Sequence, residues 1–83
     1  MSEAKKHGVL RAIERYFRLV LMEAYGYEKA GNVAVLALWR GEEVEVQVPK
    51  RFVGMCVGRG GDNIMKAQKD FRVKISVRSP DKT

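Results

Sequence analysis

The stretch CVGRGGDNI, residues 56–64, decides the fold of this chain. Three glycines and an arginine, GRGG at residues 58–61, separate two apolar segments that both have helical spacing. Glycine weakens a helix interior because it loses more backbone freedom on folding than any other residue. The cluster therefore predicts either a tight turn between two helices or a backbone that must approach something outside the protein.

The segments on both sides of the glycines carry helix signals. Pro49 ends a strand and suits the first turn of a helix, because its missing N–H has no partner there. This helix is predicted to run to Val57. Asp62 is a good N-cap for a second helix. The inward-facing side chains of that second helix are Ile64, Ala67 and Phe71.

The N-terminal half predicts a helix followed by a hairpin. Residues 3–25 place apolar side chains at three- and four-residue spacing, which is typical of an amphipathic helix. Residues 32–39, NVAVLALW, are apolar on both faces and predict a buried strand. Residues 43–48, EVEVQV, alternate and predict a half-exposed strand. Gly41, in the link between them, favours a hairpin turn.

The C-terminal segment completes a small sheet. Residues 72–78, RVKISVR, alternate like a third strand, and residues 79–83 are expected to form a flexible tail. Two strands joined by a pair of helices run parallel to each other in one sheet. The prediction is one α+β domain spanning residues 1–83, with a three-stranded mixed sheet packed on three helices in the order α-β-β-α-α-β.

The charge is divided unevenly along the chain. Residues 1–49 contain seven Lys and Arg against seven acids, whereas residues 50–83 contain nine against three, which accounts for the whole net charge of +6. Basic residues gathered around the glycines indicate a polyanionic partner, since bound phosphates release counterions. A solvated basic face without a partner is the alternative interpretation.

Composition argues against several other functions. No apolar run approaches the roughly 20 residues of a membrane span, and no signal-peptide pattern is present, so a cytoplasmic protein without a membrane partner is expected. Cys56 and His7 are the single residues of their types, too few for a disulfide or a structural zinc site. No catalytic residue, metal or cofactor is predicted. The glutamates near the hairpin, Glu42, Glu43 and Glu45, are interpreted as edge protection rather than metal ligands.

The ordered set of elements and the loop resemble a KH domain. The resemblance rests on a strand ending in V-P, an apolar-apolar-G-x-x-G loop and a following N-I, and it covers residues 46–77. With the helix at 3–25 and the strand at 32–39 as an N-terminal extension, the chain resembles the type II variant. The resemblance implies a non-catalytic module that binds single-stranded nucleic acid, RNA in preference to single-stranded DNA.

The resemblance also implies which residues form the site. The loop residues that would clamp the phosphates of about four nucleotides are Gly58, Arg59, Gly60 and Gly61. An apolar groove floor for bases would come from Val57, Ile64 and Ile75. A basic rim would come from Lys50, Arg51, Lys66 and Lys69. The connection from Phe71 to Val73, where type II domains carry a variable loop, is short and indicates a shallow groove.

Two other interpretations stay open. A helix-hairpin-helix unit, which holds duplex DNA, also places glycines between two short helices, although the neighbouring strands argue against it. An assembly or dimerisation domain with a vestigial nucleic-acid site is the second. A single module of this size should bind weakly, so a homodimer or a larger ribonucleoprotein, transcription or translation complex would raise its affinity. Dinucleotide loops and P-loops are excluded because their glycine and lysine positions are not met.

Overall fold

A long N-terminal helix supplies one side of the core. The computed structural model describes residues 3–80, with side chains from Lys5 onward. Helix α1 spans Glu3–Tyr25, which confirms the helix predicted at 3–25. Its Ile13, Phe17 and Leu21 are fully buried. They recur every four residues and so form one stripe that faces the rest of the protein.

A short helix that the sequence did not predict follows α1. Gly26 ends α1 with a positive φ of 114°, and helix α2, Tyr27–Ala30, begins directly after it. Arg18 of α1 donates a hydrogen bond from Nη1 to the carbonyl oxygen of Ala30, over 3.1 Å. This bond satisfies a carbonyl at the end of α2 that has no partner within the helix. The chain is thereby turned back toward the sheet.

The sheet has three strands in the order β1-β2-β3. Strand β1 is Leu36–Arg40, β2 is Glu43–Gln47 and β3 is Ile75–Arg78. The first pair is antiparallel and the second is parallel, which confirms the predicted mixed sheet. Gly41 has a φ of 65°, as a tight hairpin connection requires. The α+β class and the element order are as predicted, with α2 as an addition.

Both outer strands are shorter than predicted. The strand expected at 32–39 begins at Leu36, because Val33 is buried in the turn after α2. This strand is not buried on both faces: Leu36 is 51% exposed on the face of the sheet that no helix covers. The strand expected at 72–78 begins at Ile75. Of the predicted tail, residues 81–83 lie outside the described residues.

The core forms between the helices and one face of the sheet. A 3₁₀ turn at Lys50–Phe52 leads from Pro49 into α3, Val53–Val57, and helix α4 spans Asp62–Phe71. The side chains that meet in this core include Val44, Val46, Phe52, Cys56, Ala67 and Ile75. Within residues 3–80, no helix is long and apolar enough to cross a membrane.

Helix α1 also covers the outer edge of β1. The Glu14 carboxylate oxygen Oε2 accepts a hydrogen bond from the backbone N–H of Ala37, over 2.9 Å. Trp39 Nε1 donates to the carbonyl oxygen of Lys6, over 3.4 Å, so this tryptophan packs beside the first helix. These contacts occupy backbone and side-chain groups at an edge that would otherwise be open to pairing with another chain.

Candidate nucleic-acid interface

Three glycines give the loop between α3 and α4 its shape. Gly58, Gly60 and Gly61 have φ values of 82°, 63° and 79°, in the region that L side chains rarely adopt. Residues Arg59–Gly61 form a tight turn between the two helices, in which Gly60 has non-helical backbone angles (φ 63°, ψ 20°). The glycines therefore allow a sharp reversal that a chain without them would adopt only with strain.

Gly58 is required for steric as well as conformational reasons. A Cβ atom at this position would lie 2.8 Å from Cγ of Asn63 and 2.9 Å from the backbone nitrogen of Asn63. The Asn63 side chain is held in place because its Nδ2 donates a hydrogen bond to the carbonyl oxygen of Met55, over 3.1 Å. Asn63 thus ties the end of α3 to the start of α4.

Helix α1 also contacts the junction between α3 and α4. The Tyr16 hydroxyl donates a hydrogen bond to the carbonyl oxygen of Asn63, over 3.3 Å. Burial, with a further contribution from the Asp70 carboxylate, raises the pKa of Tyr16. The hydroxyl is therefore protonated at neutral pH and able to donate. This contact could not be predicted from local sequence patterns, because Tyr16 and Asn63 are far apart in the chain.

The outer part of the loop is open. No atom lies within 4 Å of the Cβ position at Gly60 or Gly61, and Arg59 and Gly60 are exposed. The turn's own hydrogen bonds run from the N–H of Gly61 to Gly58 and from the N–H of Asp62 to Arg59. The N–H groups of Arg59 and Gly60 precede these bonds and have no partner within the turn, which suits them to an anion.

Asp62 does not cap α4 as the sequence suggested. The N-cap is Gly61, in a left-handed conformation, and Asp62 is the first helical residue. Its carboxylate lies 3.3 Å from Nζ of Lys66, one turn along the helix. The tight glycine turn is the reason, because it places the helix boundary one residue earlier than an aspartate cap would.

Helix α4 packs beside the outer edge of β3 and is joined to it by a side chain. Gln68 of α4 accepts, through Oε1, a hydrogen bond from the backbone N–H of Ile75, over 2.9 Å. The N–H of Ile75 points away from β2. Because Val77 is two residues further along this parallel strand, its N–H and C=O groups point away from β2 as well. Backbone groups at this edge can bind the polar edge of a base.

The predicted groove floor is only partly accessible. Val57 and Ile64 are half-buried, so each keeps some surface toward the outside. Ile75 is only 4% exposed and belongs to the core, which corrects its assignment to the floor. Strand alternation points Ile75 at the helices, and Ala67 of α4 packs in the same core. Ile75 therefore packs in the core beneath helix α4.

The basic residues of the predicted rim lie on two elements, the 3₁₀ turn before α3 and helix α4. Lys66 lines a depression together with Tyr16 and Leu19 of α1, so it faces α1. Positions 64 and 66 are two residues apart on a helix and therefore face different directions. Lys69 is exposed. The guanidinium carbon of Arg51 lies 4.7 Å from the centre of the Phe52 ring, just before α3.

The structure also shows an exposed apolar side chain beside the loop. Met65, in the first turn of α4, is 62% exposed. It lies outside the inward-facing set of Ile64, Ala67 and Phe71, so the spacing in the sequence already indicated an apolar side chain that faces outward. A flexible thioether next to the loop offers an adaptable apolar contact.

The part of the chain that contains these features matches a known family. The family model of the KH domain matches residues 43–83. The chain contains a KH domain. The match begins at the first residue of β2 and includes the glycine loop and β3. No curated protein and no solved structure matches the chain.

KH domains are nucleic-acid-binding modules, and the family therefore supports RNA or single-stranded DNA binding by this chain. Helices α1 and α2 and strand β1 precede the matched residues. They supply the Tyr16 contact to the loop junction and the cover over β1. The KH domain of this chain is thus built on an N-terminal extension of three elements.

Two glutamates near the hairpin pair with basic residues of the sheet, and the single cysteine is buried. Among residues 3–80, no group of three or more His, Cys, Asp or Glu side chains could hold a metal ion. Glu43 pairs with Lys74 over 3.6 Å. Glu45 pairs with Arg40 over 3.4 Å and with Arg78 over 4.0 Å. Cys56 is fully buried, and burial raises the pKa of its thiol to about 11. A buried neutral thiol is a poor nucleophile.

Proposed function

We propose that this KH domain binds single-stranded nucleic acid, RNA in preference to DNA, by seating backbone phosphates on residues 58–61. The observation that most supports this is the loop itself. Three positive-φ glycines surround Arg59, and two of them have no neighbour at the Cβ position. A phosphate can therefore reach the backbone N–H groups of Arg59 and Gly60 without meeting a side chain. The Arg59 guanidinium adds a charged donor.

The groove beside the loop would receive the bases. Val57 and Ile64 offer partly exposed apolar surface, and the N–H and C=O groups of Val77 point away from β2 at the outer edge of β3. Unstacked bases are recognised by stacking or apolar contact together with hydrogen bonds to their edges. The short floor supports contact with few bases, and hence weak sequence preference.

The basic rim would act mainly through charge. Lys69 is exposed on α4, and Lys50 and Arg51 precede α3. Lys66 would have to exchange its ion pair with Asp62 for a phosphate. Since exposed ion pairs contribute about 0–1 kcal/mol, such an exchange costs little.

A pair of shape-matched variants tests the loop. In the first, Arg59→Asp and Gly60→Asp place two negative charges in the loop; in the second, Arg59→Asn and Gly60→Asn keep the shape without the charge. Asp and Asn both tolerate the positive φ of residue 60 better than other side chains, and nothing lies within 4 Å of its Cβ position. Binding of a labelled random RNA pool is measured by fluorescence anisotropy at two salt concentrations.

The expected result is loss of binding by the Asp pair and weaker but measurable binding by the Asn pair. The wild-type affinity should fall with salt by a slope of about 0.7 per neutralised phosphate. Circular dichroism and thermal melting confirm that all three proteins are folded. Equal binding by the wild type and the Asp pair would exclude the loop as the phosphate site.

The preference for RNA has its own comparison. The same random pool is synthesised as RNA and as DNA, which differ in the 2′-hydroxyl that a protein can contact. Tighter binding of the RNA pool is expected. Equal affinities for the RNA and DNA pools would be compatible with the proposed phosphate site but would exclude a preference for RNA.

An assembly role is the second candidate. It is favoured by Leu36, which is 51% exposed on the uncovered face of the sheet. Leu38 shares that face, because alternate residues of a strand point the same way. Sedimentation of the wild type and of a Leu36→Ser variant tests it: a dimer that the substitution dissociates supports assembly, and a monomer in both cases rejects self-assembly.

A further inference from the structure

A surface cavity of about 400 Å³ lies at the end of α4 that is farther from the glycine loop. The rings of Trp39 and Phe71 form part of its wall. Its charged lining residues are Lys6, Arg72 and Glu42, so cations outnumber the acid. Lys6 Nζ lies 5.9 Å from the centre of the Trp39 ring. The cavity thus combines an apolar wall with two positive charges.

Arg72 occupies a backbone position that an arginine rarely takes. Its φ of 54° and ψ of 42° are left-handed, and its N–H bonds to the carbonyl oxygen of Gln68 to end α4. It has the single positive φ of any non-glycine residue among those described. Glycine is the usual residue at such a helix end, because a side chain there is strained. A strained residue beside a cavity points to a role for its side chain.

The cations along α4 differ from those of the sheet. On the sheet, Arg40 and Arg78 pair with Glu45, and Lys74 pairs with Glu43. Of the four cations of the loop and the α4 surface, Lys66 pairs with Asp62, whereas within residues 5–80 no carboxylate forms an ion pair with Arg59, Lys69 or Arg72. Unpaired cations retain their full attraction for phosphate.

Exposed residues of α4 connect the loop to the cavity. Asp62, Met65 and Lys69 are spaced by three and four residues, so they share the outer face of α4, and all three are exposed. Arg72, which ends the helix, is exposed as well, so the unpaired cations Lys69 and Arg72 lie in the half of α4 nearer the cavity. A helix of ten residues spans about 15 Å. A strand leaving the loop can therefore reach the cavity along α4.

We propose that the nucleic acid held at the glycine loop continues along the outer face of α4, and that the cavity takes a further nucleotide of the same strand. Arg72 and Lys6 bind its phosphate, and its base packs against the wall formed by Trp39 and Phe71. This inference rests on the proposed function of the loop. It adds a second anchoring point that is separated from the first by the length of α4.

Random RNA pools of two lengths test the inference, one of about four nucleotides, which fills the loop site, and one about twice as long. Arg72→Gln removes the charge and keeps the strained backbone, whereas Arg72→Gly removes both. Arg40→Gln, on the uncovered face of the sheet, is the charge-matched control. Binding is measured by anisotropy over a range of salt, and stability by thermal melting.

The long pool should bind the wild type with a steeper salt dependence than the short pool, by about 0.7 for each additional phosphate that the protein neutralises. Arg72→Gln should lower the slope for the long pool by about 0.7 and leave the short pool unchanged. Arg72→Gly should weaken binding of the long pool in the same way while its melting temperature rises. Arg40→Gln should change neither pool.

A wild-type slope that Arg72→Gln leaves unchanged with the long pool would overturn the inference. So would equal slopes for the two pools with the wild type. Failure of the loop proposal gives a different pattern: the Asp pair at residues 59 and 60 then binds both pools as well as the wild type does. A protein that binds neither pool overturns both proposals.

Discussion

The side chain of Asn63 occupies the space that a Cβ atom at residue 58 would need. That atom would lie 2.8 Å from Cγ and Nδ2 of Asn63, and 2.9 Å from its backbone nitrogen. The side chain is fixed by its bond to Met55, and the backbone nitrogen belongs to the first turn of α4. Neither can move without separating the two helices of the loop.

Gly58→Ala should therefore destabilise the protein by at least about 2 kcal/mol, since a residue strained at positive φ alone costs 1–3 kcal/mol. Gly60→Ala is the control: its φ is also positive, but the space around its Cβ position is empty, so a loss of about 1–2 kcal/mol is expected. Urea denaturation measures both free energies of unfolding. Equal losses would show that the Asn63 contact is unimportant.

Glu14→Ala should weaken the cover over β1. The carboxylate of Glu14 accepts the N–H of Ala37 over 2.9 Å, and an acceptor lost from a partly buried N–H costs about 1–3 kcal/mol. Glu14→Gln keeps an acceptor oxygen at the same position and should restore most of the stability. Amide exchange at Ala37 should be faster in the Ala variant than in the Gln variant. Equal exchange in the two would argue against the bond.

Cys56 should make stability decrease in alkali. Burial raises the pKa of its thiol from an ordinary value of 9.0 to about 11, so between these pH values the unfolded chain loses a proton that the folded chain keeps. The free energy of unfolding therefore falls as the pH rises from about 9 to about 11. Cys56→Ala should be less stable at neutral pH, because it leaves a small cavity, but should lack this part of the decline. Parallel profiles for the two proteins would contradict the assignment.

Glu45 should make stability decrease in acid. A hydrogen bond from Gln47 over 2.8 Å, assisted by Arg40 and Arg78, lowers the pKa of this carboxyl below its ordinary value of 4.5. The ionised carboxyl therefore contributes fully to the free energy of unfolding above its ordinary pKa. This contribution is lost as the pH falls through the lowered pKa of the folded protein. The difference in stability between wild type and Glu45→Gln should shrink between about pH 5 and pH 2. A constant difference across this range would reject the network as the cause.

The sequence was sufficient for features that depend on local pattern. The stripe of α1, the alternation of β2 and the glycines at 58–61 each leave a regular signature, and each element was found as predicted. The parallel pairing of β2 and β3 followed from their connection through two helices. The turn at residues 58–61 is also local, so its position between two helices could be predicted, whereas its role in binding stays a prediction.

Features that depend on neighbours distant in sequence were missed or misplaced. Ile75 was assigned to the groove, but which face of β3 the helices cover is decided by packing. Lys66 was predicted only as an exposed rim cation, whereas its position beside Tyr16 and Leu19 of α1 depends on how the helices pack. The strand at 32–39 lost its first four residues because Val33 is buried in the turn after α2. In each case tertiary contacts override the local pattern.

The extension that precedes the KH match has a consequence for how the domain can be divided. Ile13, Phe17 and Leu21 of α1 complete the core to which the matched residues contribute Val44, Val46 and Phe52. A fragment that began at Glu43 would contain the whole recognisable motif and yet expose one side of its core to water. A fragment that contains only the KH motif therefore lacks the part of the core that α1 supplies, and we expect folding to require a longer fragment. Transplanting this loop into another protein requires α1, or a substitute for it, to travel with it.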